Sequence, residues 1–408
     1  MIIATDQIKD SESITLSILV KTGSRNESRK NNGISHFLEH MTFKGTKNRT
    51  AKKIAEEFDM IGGHCNAYTS RTSTVYYAKV LKNDVGIVID IIHDMLTNSI
   101  FNEDELEKER QVILQELYMT RDTPDDIVFD YFQETAFKDE PLGQPILGTE
   151  EVIKRVNKSD LLDYYHRQYS TKNLVISAAG KLDDSIYRNI KNNFSGFSTN
   201  SVEHYKKSEY VGGELHIRKK LEQTQLILGF KGVSYFDDNF YDLQVLSTIL
   251  GGGMSSRLFQ EVREKRGLVY NISSFTNSYS ETGIFGIYAA LEEGNINTLI
   301  DIVSNEVHKL SKRIYDNEIE RARSQIRASL LMSMESTTFR ATRLCDDFSR
   351  YGRYITNAEI LDRVQEINSD SLIKTLFKIF TSNNITVTSL GNSRGIYDYD
   401  KIKNMFTL

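Results

Sequence analysis

Proline is scarce, with three residues at positions 124, 141 and 145, all in one stretch. No Pro-rich linker is therefore available, and no low-complexity tract interrupts the chain, so a globular protein throughout is expected. Cysteine is scarcer: Cys65 and Cys345 are the only two, and neither lies in a CxxC pair. That usage fits reduced thiols in a reducing compartment. No apolar run approaches the length needed to span a bilayer. The N-terminal MIIATDQIKDSES has a short apolar start and no basic region, unlike a secretory signal. The expected location is the cytoplasm, with no membrane partner. A net charge of −5 argues against a nucleic-acid partner.

What is present is enough for more than one core. A chain of 408 residues with 39% hydrophobic content predicts two domains. Residues 13–24 alternate and then turn at Gly23, which reads as a strand. Residues 32–43 carry apolar side chains at Ile34, Phe37, Leu38 and Met41, a helical period. A second helix over 50–63 is capped by Thr50 and ended by Gly62 and Gly63. Residues 64–80 are β-branched and aromatic, and read as a strand pair or one long strand. Helices are expected over 84–99, over 102–120 with an acidic first turn, and after Pro124. Residues 173–180 read as a buried strand.

The stretch 193–213 is polar and lacks a period. Beyond it the order helix, glycine turn, polar-aromatic strand returns: AKKIAEEFDMIGGHCNAYTSRTSTVYYAKV is answered by SRLFQEVREKRGLVYNISSFTNSYSETGIFGIYAAL. The expected organisation is a duplicated α+β unit, with residues 1–195 as the first domain, 196–213 as a linker and 214–408 as the second.

The first copy alone contains ISHFLEHMTFKGT, residues 34–46. On a helix, His36 and His40 project from one face, one above the other. Two imidazoles so placed can grip one Zn²⁺ at about 2.0–2.1 Å. Glu39 lies beside the pair, close enough to act on a metal-bound water. The pattern is HxxEH, the inverzincin arrangement. The plainer alternative is a helix with two surface histidines. A catalytic zinc needs a third protein ligand and one open position. The acidic helix offers Glu109 and Glu116, two turns apart on one face. Most glutamates of NEDELEKE belong to a solvated surface. Glu116 is flanked by Val112, Ile113 and Leu117 and is expected in a buried part of the helix, where a carboxylate is costly unless paired or on a metal.

HFLEHMTFKGT followed by ERQVILQE resembles the pitrilysin/insulinase family of zinc peptidases, nearest to its mitochondrial-processing-peptidase-like branch and bacterial relatives. IGGHCNAYTSRTSTVYYAKV, PLGQPILGTEE and SSRLFQEVREKRGLVY carry the similarity through both halves. The resemblance implies two homologous α/β-roll domains, each a mostly antiparallel sheet packed with helices, arranged as a clamshell. It implies His36, His40 and Glu116 as ligands to one Zn²⁺ per chain, Glu39 as general base and Glu109 as a supporting carboxylate. It also implies that Arg263 and Tyr270, seven apart in REKRGLVY, touch the substrate. Without it, a solvated arginine and a tyrosine at a strand start would be the reading. His64 is off the HxxEH helix and reads as structural or surface.

NAYTS, residues 66–70, resembles the edge strand that in this family pairs with the peptide substrate, which implies Asn66, Ala67 and Tyr68 as candidate contacts. Such a strand recognises extended backbone by β-augmentation. Asp126 and Asp130 resemble acidic positions that, in the processing-peptidase branch, hold a basic residue just before the cleaved bond; two carboxylates on one face would favour an arginine through bidentate pairing. An ordinary acidic helix surface is the alternative. LGGGMSSRLF is short and shares its chain with a complete HxxEH, unlike the two-chain mitochondrial enzyme. The expected protein is a self-sufficient metalloendopeptidase, homodimeric, acting on short or unfolded peptides in an enclosed chamber. The competing expectation is a non-catalytic peptide-binding or assembly subunit.

Overall fold

The computed structural model describes residues 1–197, 199, 205–381 and 384–408; residues 198 and 200–204, inside the expected linker, lie outside that set. Two compact units are present. The first contains a sheet of β1 (Ile2–Gln7), β2 (Ser13–Val20), β3 (His64–Thr69), β4 (Thr74–Leu81) and β5 (Leu174–Gly180), in the order β1-β5-β2-β4-β3. The second contains β6 (Gly213–Ile217), β7 (Thr224–Gly232), β8 (Val269–Ser278), β9 (Gly283–Leu291) and β10 (Ile385–Leu390), in the order β6-β10-β7-β9-β8. The two orders are the same permutation. In each sheet one outer pair is parallel, β1 with β5 and β6 with β10, and the remaining pairs are antiparallel. The mixed α and β architecture and the internal duplication thus follow the sequence pattern. Residues 64–80 form a strand pair turning at 70–73.

Neither unit is continuous in sequence. The first comprises Met1–Tyr118, Gln144–Lys206 and Leu331–Ile355; the second comprises Met119–Gly143, Lys207–Leu330 and Thr356–Leu408. Each half of the chain therefore gives one segment to the other unit.

The exchanged segments cover one face of each sheet. In β2, Ile14, Leu16, Ile18 and Val20 alternate onto a core shared with Phe37, Leu38 and Met41 of the helix Ile34–Thr42. The intervening residues face the helix Thr337–Tyr351 from the C-terminal half. There Thr15 Oγ1 lies 2.9 Å from Thr337 Oγ1, Ser177 Oγ donates to the Ala341 carbonyl at 2.7 Å, and Arg340 grips Asp6 of β1 at 2.6 and 2.7 Å. In the second unit, Leu226, Leu228 and Phe230 of β7 face the main core, while Ile227 packs with Val128 and Phe132 of the helix Pro124–Ala136. Gly229 allows that approach, because a Cβ there would meet Phe132 Cε2 at 2.1 Å.

One expected helix takes another form. In SSRLFQEVREKRG the regular part is Phe259–Glu264, a π-helical turn with the Lys265 N–H on the Gln260 carbonyl at 3.0 Å. Wide turns of this kind are short insertions in helical runs. Among the described residues, no helix is long and apolar enough to cross a membrane.

Candidate metal centre

The helix Ile34–Thr42 starts at Gly33, which has φ +95 and no side chain to cap with. A buried carboxylate from outside the helix takes that role. Glu27 accepts from the Gly33 N–H at 2.7 Å, the Ser35 N–H at 2.8 Å and Asn32 Nδ2 at 2.8 Å. Burial pushes the Glu27 carboxyl up to about 7, against the pull of these donors. Ser35 is further held through its hydroxyl, 2.7 Å from the Tyr164 hydroxyl. The first turn of the helix is thereby fixed from several sides.

One turn later the helix presents His36 and His40, with ring centroids 4.6 Å apart. The helix Glu103–Asp122 brings Glu116 to them: its Oε2 lies 3.6 Å from His36 Nε2 and 3.6 Å from His40 Nε2. That helix is pinned by Arg110, which donates to the Val156 carbonyl at 2.7 Å and to the Ile153 carbonyl. Potential donor atoms of His36, His40 and Glu116 all fall within 4.8 Å of one another.

This donor set fits zinc. Ligands at about 2.0–2.1 Å from a tetrahedral ion stand roughly 3.3 Å apart, near the 3.6 Å between Glu116 Oε2 and the Nε2 of each histidine. Burial, with His40 beside it, pulls the His36 imidazolium down to about 3, so the ring is neutral and ready to coordinate. The other nitrogen of His40 is occupied: Nδ1 lies 3.0 Å from Glu109 Oε2, which leaves Nε2 for a metal. Among the described residues His36 has no such partner, its Nδ1 being buried without a hydrogen bond.

Glu109 and Glu116 exchange the burial expected of them. Glu109 is buried, and Glu116 is half-exposed beside an exposed Val112; Ile113 and Leu117 turn to the core instead. Burial alone would raise the Glu109 carboxyl, but hydrogen bonds from His40 and from Lys44 Nζ, at 2.7 Å, outweigh it and hold the group below the usual carboxylate range. Glu109→Gln is expected to keep the shape and lose the charge, weakening zinc by about 10–100-fold. Competition against a chromophoric chelator measures this, and an unchanged affinity overturns the supporting role.

Glu39 is 8% exposed and sits between the two histidines in sequence. Burial raises its carboxyl, the Thr69 hydroxyl bonded to Oε2 at 2.5 Å opposes that rise, as does His40, and Glu116 adds to it. A carboxylate raised toward the working pH is suited to taking and returning a proton.

β3 is the edge of its sheet and alternates in exposure. Asn66 and Tyr68 point outward and are exposed, while Ala67 is half-buried against the core. His64 is exposed on the same outward face. The other expected site residues belong to the second unit. Arg263 stacks over Phe259 at 4.6 Å and over the exposed Tyr270 at 5.3 Å. Asp126 is exposed and Asp130 half-exposed on the helix Pro124–Ala136. Sequence reasoning passed over Lys44, Glu27 and Thr69. Lys44 stands one helical step beyond His40, and Thr69 lies inside the quoted NAYTS, so spacing offered a signal for both. Glu27 offered none, because its role is set by a loop.

Two imidazoles from one helix and a carboxylate from another, with a second carboxylate alongside, form a donor set of the kind metal-dependent hydrolases use. Residues 2–150 match the family model Insulinase (Peptidase family M16), and residues 155–326 match the Peptidase M16 inactive domain. The chain belongs to the M16 peptidase family. An uncharacterized zinc protease of Rickettsia bellii is 42% identical over 373 residues, 91% of this chain and 90% of its own length. One from Bacillus subtilis is 38% identical, covering 91% of both chains. The mitochondrial-processing peptidase subunit beta of Lentinula edodes is 32% identical over 421 residues, 98% of this chain and 90% of its own. In fold, a protease from Helicobacter pylori superposes with TM-score 0.89 at 22% identity over 96% of both chains. A chain of complex III2 from Candida albicans gives TM-score 0.88 at 19% identity, over 100% of this chain and 97% of its own.

Proposed function

We propose that this chain is a zinc metalloendopeptidase acting through its HxxEH helix, with His36, His40 and Glu116 holding one zinc per chain. The observation that carries the reading is the convergence of those three donor sets within 4.8 Å, with Glu39 on the same helix. Zinc in such a site supplies a bound water of lowered pKa and polarises a carbonyl. Glu39 takes the proton of the attacking water and returns it to the leaving amine. Glu109 orients His40 through Nδ1. The free edge of β3 at Asn66, Ala67 and Tyr68 receives the peptide as an added strand, which selects extended backbone. Arg263 and Tyr270 complete the substrate contacts, and short or unfolded peptides enter an enclosed chamber in a homodimer. Free Cys65 and Cys345 support a cytoplasmic setting.

The second reading is a non-catalytic peptide-binding or assembly subunit. The match of residues 155–326 to an inactive domain favours it. A mixed peptide library, incubated with and without a chelator and read by mass spectrometry, separates the two. Chelator-sensitive cleavage is expected; its absence from zinc-loaded protein overturns the peptidase. The cut sites also report on Asp126 and Asp130. Asp126→Asn with Asp130→Asn should lower kcat/KM by about 10-fold or more for peptides with arginine before the cut, and leave neutral peptides unchanged. Equal losses on both classes count against the acidic subsite.

A further inference from the structure

Glu39 is held by a residue outside its own helix. Thr69, the last residue of β3, donates its hydroxyl to Glu39 Oε2 at 2.5 Å. The direction of that bond is set by the neighbouring hydroxyls. Thr69 Oγ1 also lies 3.5 Å from Thr74 Oγ1, and Thr74 donates its own proton to the Thr22 carbonyl at 3.0 Å. Thr74 is then an acceptor toward Thr69, and the Thr69 proton goes to Glu39. The other threonine nearby, Thr42, spends its hydroxyl on the Glu39 backbone carbonyl at 2.7 Å. Among the described residues, Glu39 Oε1 has no hydrogen-bond donor.

Strand geometry explains why Thr69 can do this. Side chains alternate along β3, so Cys65, Ala67 and Thr69 turn inward while His64, Asn66 and Tyr68 turn outward. A β-branched residue in a strand has a restricted χ1, so the direction of its hydroxyl follows the backbone. Glu39 is buried, 8% exposed, so the loss of the Thr69 hydroxyl leaves Oε2 without the one side-chain donor it has among the described residues.

We propose that Thr69 is a positioning residue for the proton-accepting carboxylate: its hydroxyl fixes Glu39 Oε2, reserves Oε1 for the attacking water, and ties the base to the edge strand that receives the peptide. The inference rests on the reading of Glu39 as general base. Its consequence is that the strand binding the substrate and the group that activates water are joined directly by a hydrogen bond. A carboxylate free to rotate about its last torsion would present either oxygen, and misplacement of reacting groups by about 1 Å costs up to about 10²-fold.

Thr69→Val keeps the shape and removes the donor, and Thr69→Ser keeps the donor. With the zinc-loaded full chain, Thr69→Val is expected to lower kcat by about 10–100-fold, with KM within about twofold and zinc per chain unchanged. Thr69→Ser should recover most of the rate. Combined with Glu39→Gln, Thr69→Val should slow the residual reaction no further, because its effect passes through Glu39. Should the valine variant be insoluble, Thr69→Ala gives the same comparison against serine. Wild-type kcat in Thr69→Val, a loss confined to KM, or additive losses in the double variant overturn the proposal. A Glu39→Gln variant as active as wild type overturns the reading beneath it, and the inference with it.

Discussion

Glu39→Gln should abolish peptide cleavage, with kcat lower by about 10²–10⁴-fold and zinc content unchanged. Glutamine preserves the length and volume of the side chain, and its carbonyl oxygen can still accept from Thr69. The amide cannot take a proton from water. The variant therefore isolates proton transfer from architecture. Zinc stays because the donors that converge are those of His36, His40 and Glu116. Peptide affinity should also stay, since the free edge of β3 is untouched. Measuring kcat on a cut-site peptide from the library, beside zinc by atomic absorption, gives both numbers. Cleavage within a few-fold of wild type removes Glu39 as the base. In a binding or assembly subunit, the same substitution would leave every function intact.

His40→Ala should bring zinc from one per chain to near none, and cleavage with it. The two remaining donors, on His36 and Glu116, would share an ion with solvent, and a two-ligand site does not retain zinc against dialysis. The fold should survive. His40 is partly exposed, and its loss leaves Glu109 with the Lys44 ammonium at 2.7 Å. One lost hydrogen bond to a buried carboxylate costs about 1–3 kcal/mol, a shift of several degrees in Tm for units of this size. Circular dichroism and calorimetry on the metal-free proteins check that side. Zinc should raise the Tm of the wild type and not of the variant. Stoichiometric zinc in dialysed His40→Ala would falsify the ligand assignment.

The HxxEH spacing was legible because both histidines and Glu39 lie on one short helix, where periodicity alone fixes their relation. The partner carboxylates were harder. Glu109 and Glu116 share a face, but which one is buried depends on how their helix meets the rest of the first unit. The apolar neighbours of Glu116 misled on that point: Ile113 and Leu117 reach the core while Val112 is exposed. In the first sheet β2 was readable from alternation, β3 and β4 from β-branched and aromatic content and β5 as a buried run, and the duplicated order of helix, turn and strand announced the second. The sheet permutation and the exchange of segments were not, because they rest on pairings between residues hundreds of positions apart. Thr15 meets Thr337, and Asp6 meets Arg340. Local pattern carries no trace of such contacts.

That exchange also dictates when each unit can be finished during synthesis. The first sheet is complete once β5 has been made, yet one face has no cover until the helix ending at Tyr351 has left the ribosome. The helix Pro124–Ala136 waits longer still, for β10 near the C-terminus. A nascent chain must hold both surfaces open over much of its translation. The composition of the waiting face on the first sheet suits that delay. Thr15, Ser17 and Ser177 line it between Leu19 and Val175, so water can satisfy its hydroxyls, and the uncovered sheet is less sticky than its opposite face of leucine and isoleucine.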